Sequence, residues 1–96
     1  MTWHVYLRPA AQQDLREARD WYDGRREGLG NELLLAVADT LLTLEAAPER
    51  YPIYYRDFRR ALTDRFPFKI LYRTEGAAVI VYRILHGARD HTRGWD

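Results

Sequence analysis

The sequence predicts an α+β domain of order β-α-α-β-β-β, a helical hairpin packed on a mainly antiparallel small sheet. Three observations predict it. Trp3, Val5 and Leu7 alternate with His4, Tyr6 and Arg8 at the period of a half-buried strand. From Pro9 to Pro48 the apolar residues recur at helical steps of three and four, interrupted by Gly28-Leu29-Gly30. From Phe58 to His86 the period returns to two, in three runs separated by Pro67 and by Glu75-Gly76. With 96 residues and 47% apolar content, the chain is sufficient for one core, so residues 1–96 read as a single domain.

The first strand stops where Pro9 opens a helix at its first position. Ala11, Leu15, Ala18 and Tyr22 form the buried stripe of that helix, with Asp14, Arg16, Glu17 and Asp20 mostly outside it. Asp23-Gly24 is a turn signal, yet the helix is expected to continue to Glu27 before the glycines stop it. Asn31 can cap the second helix, whose wide apolar face comprises Leu33, Leu34, Val37, Leu41, Leu42 and Leu44, and Pro48 closes it. The short glycine-rich turn makes the pair an antiparallel hairpin. Glu49 to Arg56, with Pro52 and three tyrosines, reads as a connecting loop or a short irregular strand.

The next strand is expected over about Phe58 to Phe66, with Phe58, Leu62 and Phe66 inward and Arg59, Ala61, Thr63 and Arg65 outward. After Pro67 the chain resumes from Phe68 to Thr74, and a two-residue Glu75-Gly76 turn sets the register of the last hairpin. Thr74 then faces Ala77, Tyr72 faces Val79, Ile70 faces Val81 and Phe68 faces Arg83. On the other side Lys69 faces Tyr82 and Arg73 faces Ala78, with His86 sharing the face of Tyr82 and Lys69.

The formal charge of +1 hides a split. Residues 1–55 hold six arginines against nine acids, a balance of −3, and residues 56–96 hold nine Lys/Arg against five acids, a balance of +4. Such a dipolar domain presents one anion-seeking face. Lys69 is the single lysine, an arginine bias that favours bidentate contacts to phosphate or carboxylate and that GC-rich coding also produces. The absence of cysteine excludes disulfides and thiolate metal sites. With no signal peptide and no membrane-length apolar run, a cytoplasmic location is expected. No cofactor is expected, nor a metal, since His86, Asp90 and His91 lack a third strong ligand or a defined helical spacing.

The strings Arg8-Pro9-Ala10-Ala11-Gln12-Gln13-Asp14-Leu15, Arg65-Phe66-Pro67-Phe68-Lys69-Ile70-Leu71-Tyr72-Arg73 and His86-Gly87-Ala88-Arg89-Asp90, in this element order, resemble the RelE/ParE superfamily of type II toxin–antitoxin toxins, the ParE branch especially. The resemblance implies a growth-inhibiting toxin, neutralised by a cognate antitoxin and associated with plasmid stabilisation. ParE-type toxins poison DNA gyrase without nuclease activity, whereas RelE-type toxins cut messenger RNA in the ribosomal decoding site.

For the nuclease alternative, the resemblance places Arg60 and Lys69 at the strand positions and Arg89 just after the last strand. Trp95 stands where a tyrosine belongs, and an indole moves no proton, so acid–base work falls to His86 or His91. For the gyrase reading, which leads, the expected target- or antitoxin-contact residues are Trp21, Arg25 and Arg26 near the hairpin tip, Tyr54 and Tyr55, whose cluster could line the antitoxin groove, Arg65 and Arg73, and Trp95 in the tail. Each arginine taken singly reads first as part of a solvated face paired to Asp57, Asp64 or Asp90, His86 as a hydrogen-bonded turn residue, and Trp21 as a half-buried helix flank. A third class, a basic nucleic-acid-binding module without toxicity, needs only the charge asymmetry.

Overall fold

A computed structural model describes residues 3–87. Its elements are β1 (His4–Leu7), α1 (Pro9–Arg25), α2 (Leu29–Ala46), a 3₁₀ turn (Pro48–Arg50), β2 (Ile53–Tyr55), β3 (Phe58–Leu62), β4 (Phe68–Glu75) and β5 (Ala78–His86). The strands form one sheet in the order β1-β5-β4-β3-β2. β1 runs parallel to β5 and the other pairings are antiparallel. The expected architecture therefore holds, with the 49–56 segment supplying an additional edge strand.

Both helices cover one face of the sheet. Ala11 and Ala18 of α1 and Leu33, Val37 and Leu44 of α2 meet Ala61, Phe68, Ile70, Tyr72, Val79, Val81 and Ile84 in one buried cluster. Leu71 and Leu85 are buried outside that cluster, and the register places them on the opposite face. That face is called the open face below.

The hairpin tip is tighter than the sequence suggests. α1 ends at Arg25, short of Glu27, because Arg26 is extended while its amide still donates to the Tyr22 carbonyl. Gly28, at φ 89°, rather than Asn31 precedes α2. Gly30 permits the close crossing of the helices, since a Cβ there would overlap the Arg19 carbonyl oxygen, and its amide donates to Asp23 Oδ1 at 2.7 Å.

β3 also stops early, at Leu62. Thr63 Oγ1 donates to the Phe66 carbonyl at 2.6 Å, and Arg65 takes a left-handed conformation (φ 69°) that returns Phe66 to the core. The facing of β3 is the reverse of the expectation: Arg59 pairs with Tyr72 and Ala61 with Ile70, toward the helices. Ala61 fits beneath the helical layer, while the Arg59 guanidinium donates to the Glu49 and Tyr51 carbonyls that end the 3₁₀ turn. Phe58, Arg60 and Leu62 consequently belong to the open face.

Tyr72 ties the sheet to the end of the helical layer. It is fully buried, its hydroxyl donates to the Pro48 carbonyl, and burial raises its pKa well above the ordinary tyrosine value. Tyr72→Phe leaves that carbonyl without its donor, and about 1–2 kcal/mol of stability should be lost in a urea titration. A raised folded-state pKa means the contribution is complete below the unfolded tyrosine value of about 10 and is lost as pH rises beyond it. The stability difference between wild type and Tyr72→Phe should therefore stay constant up to about pH 10 and shrink as pH rises above it.

Candidate functional site

The last hairpin turns one residue later than expected, at Gly76-Ala77, so that Glu75 pairs with Ala78, Thr74 with Val79 and Tyr72 with Val81. Beyond Tyr72 the register slips: Leu71 pairs with Arg83, Ile70 with Ile84, Lys69 with Leu85 and Phe68 with His86. Tyr82 is the extra residue of a β-bulge. The slip reverses one expectation directly. His86 lies opposite Phe68, its ring 5.7 Å from that phenyl on the helix-facing side, whereas Lys69 projects from the open face.

An acid from α1 holds the bulge. β1 runs out at Leu7, opposite Val81, leaving the following part of β5 without a strand on that edge. Asp14 takes its place: Oδ2 accepts from the Ile84 amide at 3.0 Å and from Arg83 Nε at 2.7 Å, and Oδ1 accepts from Arg83 Nη2 at 2.8 Å. The Asp14 side chain is 10% exposed and that of Arg83 is 35% exposed. The hydrogen bond from Arg83 to Asp14 holds the guanidinium above its ordinary pKa. Asp14 is thus not on the solvent side expected from the helical pattern. Its spacing from Ala11 (three) and Ala18 (four) nevertheless puts it on their stripe, which was the available signal.

On the open face, cations lie against aromatic rings. The Arg60 guanidinium is 4.6 Å and Lys69 Nζ 5.8 Å from the Tyr54 ring centre. Arg73 is 5.8 Å from the Phe58 ring and 5.3 Å from the Tyr82 ring, and these two rings meet edge to face at 4.8 Å. Arg8, which the sequence reading did not select, lies 4.5 Å above Tyr82. Arg73 is also paired with Asp57 and Glu75, whereas no carboxylate among the described residues pairs with Arg60 or Lys69. The face thus offers two unneutralised cations within a partly neutralised set, on rings that restrict their rotamers.

The remaining selected residues are dispersed. Arg65 binds Glu32 at 2.7 Å and Arg26 binds the other Glu32 oxygen at 3.1 Å, joining the β3–β4 turn to the hairpin tip and lowering the Glu32 pKa. Trp21 is 54% exposed, with Arg25 4.3 Å above its ring. Tyr55 lies on edge strand β2 beside Tyr54. Arg89, His91 and Trp95 lie outside the described residues. Among the described residues no three potential ligands converge on a metal position.

The helix-facing side carries a different feature, an apolar groove of about 320 Å³ between α1 and the ends of β4 and β5. Ala18, Trp21, Tyr22, Phe68, Ile84 and His86 line it, with Asp14 and Glu17 also at its wall. The molecule therefore has a cationic sheet face and, separately, an aromatic groove flanked by carboxylates.

The sequence model of a family described as the ParE toxin of type II toxin–antitoxin systems, parDE, matches residues 5–91. Among solved structures, the chain is similar to a chromosomal ParDE toxin–antitoxin system from P. aeruginosa, with a TM-score of 0.80 and 17% identity, covering 88% of this chain and 96% of that one. It is also similar to the RelBE2 toxin–antitoxin complex from Mycobacterium tuberculosis, with a TM-score of 0.66 and 20% identity, covering 90% of this chain and 99% of that one. No curated protein matches the chain.

Asp14→Ala removes the acceptor of three hydrogen bonds. Because Arg83 is about a third exposed, the loss should be about 2–3 kcal/mol, below the range for breaking a fully buried pair. Chemical denaturation measures the loss, and amide exchange should show Ile84 among the most accelerated β5 positions.

Proposed function

The chain belongs to the family of ParE toxins of type II toxin–antitoxin systems, and on that premise we propose that it arrests growth by binding an essential cytoplasmic target, DNA gyrase foremost. A cognate antitoxin holds it inactive. The observation that carries the binding reading is the separation of His86 from Arg60 and Lys69 by the thickness of the sheet. RNA cleavage needs a proton donor or acceptor at the reacting phosphate together with cations that stabilise its charge. The bulge takes the expected histidine away from the cations, and what remains on the open face has the makeup of a contact surface, with arginines held on aromatic rings.

The same surface supports the antitoxin reading. Arg60 and Lys69, without carboxylates of their own among the described residues, suit an acidic segment that orders on contact. The proteins solved as ParDE and RelBE2 systems share the fold on which such pairing occurs.

One observation favours a ribosome-dependent endoribonuclease as the second reading. Tyr54 brings a phenol beside both Arg60 and Lys69, supplying the acid–base group that Trp95 lacks.

Tyr54→Phe separates the two, because it keeps the ring and removes only the hydroxyl. Growth arrest on induction without antitoxin should persist in the variant, whereas a nuclease using that phenol should slow by about 10²–10⁴-fold. Pulse-labelling after induction gives an independent check. DNA synthesis should fail first, with filamentous cells and continuing translation, and early loss of translation with intact DNA synthesis would overturn the gyrase assignment.

A further inference from the structure

α2 buries Leu33, Val37, Thr40 and Leu44 on one side, yet its opposite side is not polar. Leu35 is 61% and Leu42 60% exposed, seven residues and so about 10 Å apart along the axis. Ala38 and Ala46, also exposed, share that side and leave room for another backbone to approach. Every charge on the helix is negative, from Glu32, Asp39 and Glu45. Beside Leu35 a depression of about 160 Å³ is walled by Glu32, Asp39, Asp64 and Arg65. Arg65 is committed to Glu32, while Asp39 and Asp64 have no cationic partner among the described residues.

We infer that this outer face of α2 is a docking surface for a basic amphipathic helix of a partner protein. Aliphatic residues of the partner cover Leu35 and Leu42 at matching heptad spacing. An arginine or lysine stem lies along Leu35 and brings its charge to Asp39 and Asp64. Electrostatics selects this occupant over the others. A second copy docked through this same face would set acids against acids across the contact, which disfavours a two-fold pairing. The chain's own residues 88–96 carry two arginines and two aspartates and offer no net positive charge. The surface is distinct from the cationic open face and opposite to it in sign, and the inference does not depend on which target the toxin has.

The test uses the full chain and two synthetic eighteen-residue helical peptides, identical in leucine spacing but flanked either by lysines or by glutamates. By fluorescence anisotropy the lysine peptide should bind at least about ten-fold tighter than the glutamate peptide. Leu35→Lys with Leu42→Lys, and separately Asp39→Lys, should each weaken binding by about ten-fold or more. Arg60→Ala should leave it unchanged. The α2 substitutions alter exposed positions, and an unchanged thermal melt confirms that every variant folds. Failure of the lysine peptide to bind, equal binding of both peptides, or binding insensitive to the α2 substitutions would overturn the inference. So would concentration-dependent dimerisation abolished by Leu42→Lys, which would give the face to a second copy.

Discussion

The one residue by which β5 exceeds β4 is the constraint on which the rest of this structure depends. Eight residues of β4 pair with nine of β5 from Glu75 to Phe68, and the surplus is absorbed at Tyr82. Without the bulge, Leu85 and His86 would exchange faces. With it, Ile84 enters the core, Leu85 is buried beneath the open face and His86 joins the aromatic groove. Asp14 makes the arrangement stable by accepting the Ile84 amide and pairing with Arg83 where β1 has ended. A single carboxylate thus substitutes for a missing strand and anchors α1.

This anchoring separates the charges of the molecule in space as well as in sequence. Arg8, Arg60, Lys69 and Arg73 gather over Tyr54, Phe58 and Tyr82 on the open face. The helical layer carries the acids: Glu32, Asp39 and Glu45 on α2, and Asp14 and Glu17 at the groove. A long arginine or lysine on a sheet face can lay its stem on apolar cover while its charge stays in water, and the aromatic rings provide that cover. Leu71, fully buried on the open side of β4, reflects the same covering.

The layers, the helical hairpin and the basic character of the sheet were legible in the sequence because each rests on a repeated period or a summed charge. Facing on β3 was not. Phe58 and Leu62 look like inward residues, yet within β3 Ala61 is the one that fits under the helices, and of the three expected only Phe66, beyond the strand's end, reaches the core. The bulge had no signature either, since neither Tyr82 nor its neighbours is a glycine, and the Glu75-Gly76 turn was equally compatible with a register two residues away. The missed bulge alone put His86 on the face of Lys69, since a shift of two residues leaves the facing unchanged. The family resemblance placed Arg60 and Lys69 at strand positions, and the register sets them on β3 and β4 with both cations against the Tyr54 ring. It had no means of finding Arg8, which joins the open face only because β1 pairs parallel to β5 at the far side of the sheet.

The central claim is that the open face acts by contact rather than by moving protons. The most direct measurement is a supercoiling reaction with purified gyrase, ATP and relaxed plasmid, titrated with the purified chain. The account predicts loss of supercoiling and trapped, cleaved DNA in proportion to the toxin bound, reaching completion near stoichiometric amounts. Unimpeded supercoiling at excess toxin, while trace amounts of the same preparation cut ribosome-bound messenger RNA with turnover, would contradict it.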